Sequence, residues 1–281
     1  MLAGDAARHI AERLRAIGIE SHRLDARLLV AEVLGVEPNI VFTRPDMALT
    51  QEQTARLDQL AARRVAREPM SHILGRRGFW TLTLKVTADT LDPRGDTETL
   101  IEAVLSRIAD RQAPLRMVDF GTGTGAILLS LLSELPNATG LAVDKSPAAL
   151  AVARENAVAN GVGDRTEFLL SDWGRDVDER FDVIVSNPPY IPDQDIDGLE
   201  PEVAAFEPRL ALAGGPDGLD CYRALIPHMA RLLAPGGIAA VEVGMGQAQS
   251  VASLFAAAGL VVGAVASDLA GIERCVVAGH P

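Results

Sequence analysis

The chain has 281 residues, is 48% hydrophobic and only 4% aromatic, and carries a formal net charge of -12. That length admits one large domain or two smaller ones. The acidic balance argues against a stand-alone reader of duplex DNA, which needs a basic face, and no run of about 18 apolar residues suggests a membrane span.

The charge is unevenly placed. Residues 1–75 hold 10 basic and 10 acidic side chains, and the remaining 16 basic and 28 acidic lie beyond them. An acidic second region would attract a basic partner surface. The two cysteines, Cys221 and Cys275, form no C-x-x-C pair and have no histidine at metal-ligand spacing, so no metal site is expected. Unpaired cysteines and the lack of an opening signal peptide lead us to expect a cytoplasmic protein.

In chain order, residues 1 to about 75 read as a small all-helical domain. Leu2, Ala6, Ile10, Leu14 and Ile17 recur at helical spacing, as do Leu24, Leu28, Ala31 and Leu34, after which Gly35 ends the helix. Thr50 with Gln53 forms a capping-box signature. The arginines of this segment read as a solvated surface, with partner docking as the alternative. Residues 76–93 alternate Leu82, Leu84 and Val86 with polar residues and predict a hairpin linker. A helix from Asp96 leads into the second domain, residues 94–281.

There, Leu115–Phe120 reads as a strand, Gly121-Thr122-Gly123-Thr124-Gly125 follows directly, and Ala126–Leu135 reads as a helix. Glycines at such a turn let a ligand approach the backbone, and the helix start offers free N–H groups. The next strand, 139–143, ends in Asp144, 19 residues past Gly125. A carboxylate there suits a ribose diol. The G-x-G-x-G spacing differs from the dinucleotide G-x-G-x-x-G and fits a nucleoside without a pyrophosphate, such as S-adenosylmethionine. A helix capped by Ser146, a strand near 167–170 and Ser171-Asp172-Trp173 come next. Strand 181–186 then runs into Asn187-Pro188-Pro189-Tyr190. Two prolines force a stiff, extended exit from the strand. The exit presents a side-chain amide, free carbonyls and a ring at the strand edge where α/β sheets bind ligands. A helix at 220–233, a Pro235-Gly236-Gly237 turn, strand 238–243, a helix near 247–258 and two late strands complete the pattern. We expect a doubly wound Rossmann-like α/β sheet with an antiparallel finish.

The chain resembles the peptide chain release factor glutamine methyltransferases, the PrmC/HemK family, over essentially its whole length. The matching segments are Arg67–Gly75, Gly78-Phe79-Trp80, Asp92–Glu98, the glycine loop, Ser171-Asp172-Trp173, Asn187–Ile191, Phe206-Glu207-Pro208-Arg209 and Gly214–Gly218. Asn-Pro-Pro-Tyr alone is shared with adenine-N6 DNA methyltransferases; the Phe-Glu-Pro-Arg segment and the helical N-terminus narrow it. The resemblance implies a class I methyltransferase sheet and methyl transfer from S-adenosylmethionine, leaving S-adenosylhomocysteine, to the glutamine amide nitrogen of a Gly-Gly-Gln motif in release factors. It implies that Gly121, Thr122, Gly123, Thr124 and Gly125 line the methionine part of the cofactor. Asp144 would hold the ribose, Trp173 would flank the adenine, and Asn187, Pro188, Pro189 and Tyr190 would hold the target amide. The helical domain would dock the substrate. Asp92 and Gly95 depart from the hydrophobic residue and second proline usual in that segment.

An amide nitrogen is a poor nucleophile, so positioning is the larger part of the work. The Asn187 side-chain oxygen and the Pro188 carbonyl are expected to accept one amide N–H each and to stabilise developing positive charge, with Tyr190 packed on the amide plane. No general base is nominated. Asp119 reads as orienting the glycine loop. The alternatives are an Asn-Pro-Pro-Tyr enzyme acting on a ribosomal-protein glutamine or adenine N6, a nicotinamide oxidoreductase, or a non-catalytic binding protein.

Overall fold

A computed structural model describes all of residues 1–281. The chain divides into two compact units, residues 1–75 with 201–206, and residues 76–200 with 207–281. No helix is long and apolar enough to cross a membrane.

The first unit holds α1 (Ala3–Ala16), α2 (His22–Leu34), α3 (Pro38–Thr43), α4 (Gln51–Val65) and α5 (Met70–Leu74). The apolar residues at helical spacing form its core: Ile10, Leu14, Leu29, Leu57 and Leu60 are all buried. Gly35 ends α2 in the left-handed conformation, and Thr50 with Gln53 completes the capping box of α4 in both directions. The short α3 and α5, one and a half turns each, were not legible as helices because neither carries a periodic pattern. The arginines do not share one environment. Arg8, Arg15, Arg23, Arg44 and Arg56 are exposed, but Arg64 is only 7% exposed at its side chain. Arg64 Nε donates to Asp25 at 2.8 Å and its Nη1 to Glu202 at 3.0 Å, while Arg67 Nε donates to the other Glu202 oxygen at 3.1 Å. The solvated-surface reading therefore fails for Arg64 and Arg67. A buried guanidinium needs charge partners, and Asp25 and the returning residue Glu202 supply them.

In the second unit, β1 (Arg76–Phe79) and β2 (Leu82–Lys85) form a hairpin. A 3-10 turn at Gly95–Thr97 opens α6 (Glu98–Leu105). Then come β3 (Arg116–Phe120), α7 (Ala126–Glu134), β4 (Thr139–Asp144), α8 (Pro147–Ala159), β5 (Thr166–Leu170) and β6 (Phe181–Ser186). After a short helix, α9 (Pro201–Ala204), which belongs to the first unit, α10 (Asp220–Leu232), β7 (Leu233–Glu242), α11 (Ala248–Ala257), β8 (Val261–Ser267) and β9 (Glu273–Gly279) close the chain.

The large sheet has seven strands in the order β5-β4-β3-β6-β7-β9-β8. β3 to β7 run parallel, and β9 pairs antiparallel with both β7 and β8. Parallel strands buried on both faces read as near-continuous apolar runs, and here alternate residues feed two cores. Met117, Val183, Val185 and Ala240 face the layer of α6 and α7, whereas Val118, Ile184, Ala239 and Val241 face that of α10 and α11. Pro235-Gly236-Gly237 is a bulge rather than a turn between elements. The strand already pairs at Leu233 with Phe181, shifts register, and resumes at Ile238 with Val183.

The chain steps from β3 to β4 on one side and returns at β6 on the other. The topological switch point therefore lies between the C-terminal ends of β3 and β6, the place where such sheets bind ligands.

Candidate active site

At that point a cavity of about 270 Å³ opens. Its walls include Gly121, Thr122, Gly123, Thr124, Asp144, Trp173, Asn187 and Pro189, together with the strap 88–94 and residues Pro208, Leu210 and Ala211. Gly125, Pro188 and Tyr190 do not line it.

The carboxylates and glycines of the glycine-loop side are set by contacts close in sequence or on the adjacent strand end. Gly125 sits at φ 84° as the N-cap of α7, and a Cβ there would lie 2.9 Å from the Leu129 side chain. Both the dihedral and the space require glycine; the residue shapes the loop from beneath. Thr122 Oγ1 donates to the buried Asp119 carboxylate at 2.8 Å. Burial, reinforced by the Asp144 charge and opposed by the Thr122 hydrogen bond, pushes Asp119 up to about 7. Its other oxygen has no partner. Asp144 accepts from the backbone N–H of Gly123 and of Ser146, both at 2.9 Å. Each carboxylate oxygen has a second lone pair, so two further hydroxyl donors fit. Trp173 adopts φ 55°, unusual for a side-chain-bearing residue, and its ring stands beside Gly121, 3.6 Å from where a Cβ would be. Asn156 ties this loop to β2, donating to the Thr124 carbonyl at 2.9 Å and accepting from Lys85 N–H at 2.6 Å.

The proline side is built from distant contacts. Pro188 is buried while Asn187, Pro189 and Tyr190 are half-buried. Asn187 Nδ2 donates to Thr97 Oγ1 at 3.4 Å. Tyr190 turns its hydroxyl towards Glu242 Oε1, 3.4 Å away at the end of β7. Burial and the neighbouring Glu242 charge raise the Tyr190 phenol well above its ordinary value. Gln247 Nε2 donates to the Tyr190 carbonyl at 3.0 Å, and its Oε1 accepts from Gly244 N–H at 3.0 Å. Gly218, at φ 76°, leaves room for that same carbonyl, since a Cβ would approach it to 2.4 Å. None of Thr97, Glu242, Gln247 and Gly218 is marked by any local sequence signal as touching this loop.

The strap carries a second ionic cluster. Glu207 accepts from Asp92 N–H at 3.1 Å and from Arg94 Nη2 at 3.2 Å, and Arg77 Nη1 reaches Asp92 at 2.7 Å. Burial pushes Glu207 up to about 6, against the pull of Arg94. Asp92, which departs from the family pattern, is thus a partner of Arg77 and, through its backbone, of the Phe-Glu-Pro-Arg segment.

The cavity brings the open lone pairs of Asp144, the Trp173 ring and the Asn187 amide to one space, a lining that suits a nucleoside. A seven-stranded sheet with a single antiparallel reversal, a glycine loop at its switch point and Asn-Pro-Pro-Tyr on the adjacent strand define a class I methyltransferase. In keeping with this, residues 89–200 match the methyltransferase small domain, and residues 5–75 match the PrmC N-terminal domain. The chain belongs to the release factor glutamine methyltransferase family. It is 50% identical over 266 residues to a protein of that name from Rhodospirillum rubrum, covering 95% of this chain and 81% of the relative. It is 47% identical over 282 residues to another from Cereibacter sphaeroides, covering 100% and 99%. Among solved structures, the hMettl16 catalytic domain superposes with a TM-score of 0.58 at 16% identity, covering 79% of this chain and 82% of that one. The ribosomal protein L11 methylase of Lactobacillus delbrueckii subsp. bulgaricus gives 0.51 at 19% identity, covering 68% and 81%. At those identities the likeness is one of fold.

Proposed function

We propose that this protein transfers the methyl group of S-adenosylmethionine to the side-chain amide nitrogen of the glutamine in the Gly-Gly-Gln motif of translation release factors. One observation carries the reading: Asn187, at the head of the Pro-Pro-Tyr exit from β6, lines the same cavity as the glycine loop and Asp144. Similarity along the full chain to proteins named for this activity supports it.

When bound, the cofactor supplies an electrophilic methyl group; the protein's part is placement. Gly121 to Thr124 would line the cofactor's methionine part, Asp144 would hold the ribose and Trp173 would flank the base. The Asn187 side-chain oxygen and the Pro188 carbonyl accept the two hydrogens of the glutamine amide, which holds the nitrogen in line and stabilises the positive charge it acquires. Tyr190, anchored on Glu242, acts as the wall behind the loop. The helical unit serves as the docking domain for the release factor, with its exposed Arg15, Arg23 and Arg56 available for that role. That substrate places the protein in the cytoplasm.

The test is transfer of labelled methyl from S-adenosylmethionine to an unmodified release factor, beside a copy with the motif glutamine replaced. Label on the first alone is the expected result. Label on neither, with the cofactor bound, removes the release-factor reading in favour of a ribosomal-protein glutamine or adenine N6.

A further inference from the structure

Gln247 is the N-cap residue of α11, yet its side chain caps nothing there. Ser, Thr, Asp or Asn at an N-cap would satisfy an orphan helix N–H, and forgoing that bond costs about 1 kcal/mol. The Gln247 amide turns instead to three backbone segments. Its Nε2 donates to the Tyr190 carbonyl at 3.0 Å and to the Gly218 carbonyl at 3.4 Å, and its Oε1 accepts from Gly244 N–H at 3.0 Å. Both amide hydrogens and the oxygen are thereby engaged. Glycines clear the space around it. A Cβ at Gly218 would lie 2.7 Å from Nε2, one at Gly244 2.8 Å from Oε1, and one at Gly214 2.8 Å from the Tyr190 Cα. Gln247 itself does not line the cavity.

The turn that this amide reaches has few free torsions. β6 pairs with both neighbours as far as Ser186. Proline fixes φ at Pro188 and Pro189, and each residue before a proline is confined to extended backbone. Asn187-Pro188-Pro189 is therefore a stiff rod, gripped at one end by β6. The Tyr190 carbonyl is its other end. We propose that Gln247 is a positioning residue for methyl transfer: by fixing the Tyr190 carbonyl it sets the direction in which the Asn187 side chain and the Pro188 carbonyl face the methyl-accepting amide. This deepens the function proposed above and rests on it. With the far end released, the rod would pivot about the end of β6. Both acceptors would then swing together out of line with the methyl group.

The other tethers of this end act less directly. The Tyr190 hydroxyl lies 3.4 Å from Glu242 Oε1, a longer contact that reaches the backbone only through the side chain's rotatable bonds. Ile191 donates to the Leu212 carbonyl at 3.0 Å and accepts from Gly214 N–H at 2.8 Å. That partner segment is irregular, joined to Ile191 by an isolated bridge at Ala213. Gln247 ties the segment at Gly218 and the rod at Tyr190 to one helix start. That helix follows β7, the parallel neighbour of β6, so both ends of the rod are referred to the same rigid sheet.

The decisive variant is Gln247→Glu, which keeps the shape and the acceptor for Gly244 but sets an oxygen against the Tyr190 and Gly218 carbonyls. We expect kcat and kcat/KM for the release factor to fall by the same factor, roughly 10- to 100-fold, as when a contact matters only in the transition state. Cofactor affinity should stay as in the wild type, and the amount of cofactor bound normalises the rate to folded protein. Gln249→Glu, the same change at a nearby exposed residue, should have no effect. Gly218→Ala disturbs the same carbonyl, so combining it with Gln247→Glu should cost less than the product of the two single losses. A readout that needs no release factor comes from the chain's two tyrosines. Only Tyr190 precedes an isoleucine, so labelling tyrosine at its carbonyl carbon and isoleucine at nitrogen isolates the Tyr190 carbonyl by NMR. Its resonance should move in Gln247→Glu and stay in Gln249→Glu. Should Gln247→Glu not fold, Gln247→Met, which removes the donors without adding charge, takes its place with the same expectations. Wild-type kcat in the Gln247 variant, an unmoved Tyr190 carbonyl, or an equal loss in Gln249→Glu overturns the proposal. Absence of transfer by the wild type removes the substrate reading, while the carbonyl resonance still decides whether Gln247 holds the turn.

Discussion

The two edges of the cavity are built by different means. On the glycine-loop edge, partners lie close in sequence or on the adjacent strand end: Asp119 with Thr122, Gly125 with Leu129, Asp144 with Ser146 and Gly123. On the proline edge, each support comes from afar: Thr97 to Asn187, Gln247 and Gly218 to the Tyr190 carbonyl, Glu242 to the Tyr190 hydroxyl. Under the proposed function, the first edge meets a cofactor with backbone and a single carboxylate, which a short loop can arrange. An amide nitrogen must be placed in line with a methyl group, and that requires rigid elements of the scaffold to converge.

The sharpest way to break this contrast is Asn187→Ala. Removing the acceptor on the proline edge should lower transfer by 10³-fold or more, on the order expected when positioning and charge stabilisation are lost together, with cofactor binding retained in calorimetry. Gly218→Ala should come next. At φ 76° and with 2.4 Å to the Tyr190 carbonyl, an added methyl must displace the loop. We expect activity to fall roughly 10- to 100-fold in steady-state assays, since small misplacements near the reacting atoms are costly. Asp144→Ala probes the other edge. Losing two hydroxyl contacts should weaken cofactor binding by about 10- to 100-fold, at about 1 kcal/mol or somewhat more per hydrogen bond. The turnover rate at saturating cofactor should change little. If Asp144→Ala instead abolishes turnover at saturation, the division of labour between the edges is wrong.

The smallest effect is a pH dependence of stability shared by both edges. Asp119 and Glu242 are each pushed up to about 7, and Glu207 to about 6, by burial. A raised carboxyl holds its proton in the folded state while the unfolded chain has released it. The stability these three groups contribute is therefore fully present below the ordinary carboxyl range and is lost as pH rises through the folded values. Each such group contributes a slope of about 1.4 kcal/mol per pH unit within its window. Asp217, held down to about 2 by Arg223, titrates below that window. Urea unfolding at about pH 5.5, inside the window, and about pH 8, above it, should show the apo protein more stable at the lower pH. Asp119→Asn and Glu242→Gln should each remove part of the difference, and a larger stability at pH 8 would contradict the assignment.

Legibility in the sequence followed the range of the interactions. The amphipathic helices of the first unit, the capping box at Thr50 and the parallel strands were readable because 3.6-residue and continuous apolar patterns are local consequences of burial. Arg64 was not readable as a buried residue, since its partners Asp25 and Glu202 are 39 and 138 residues away. Nor was the strand character of Pro235-Gly236-Gly237, because a bulge depends on the neighbouring strand's register.

By itself, the sequence determined the α/β class, the helical first unit, the glycine loop with Asp144 and the Asn-Pro-Pro-Tyr exit. Each of these is set by dihedral preference, apolar period or motif chemistry within a few residues. Only the tertiary structure decided that Thr97, Glu242 and Gln247 surround the loop, and that Tyr190 turns to Glu242 rather than into the cavity. Strand order brings the ends of β6 and β7 side by side, and no local pattern encodes which side chains then meet.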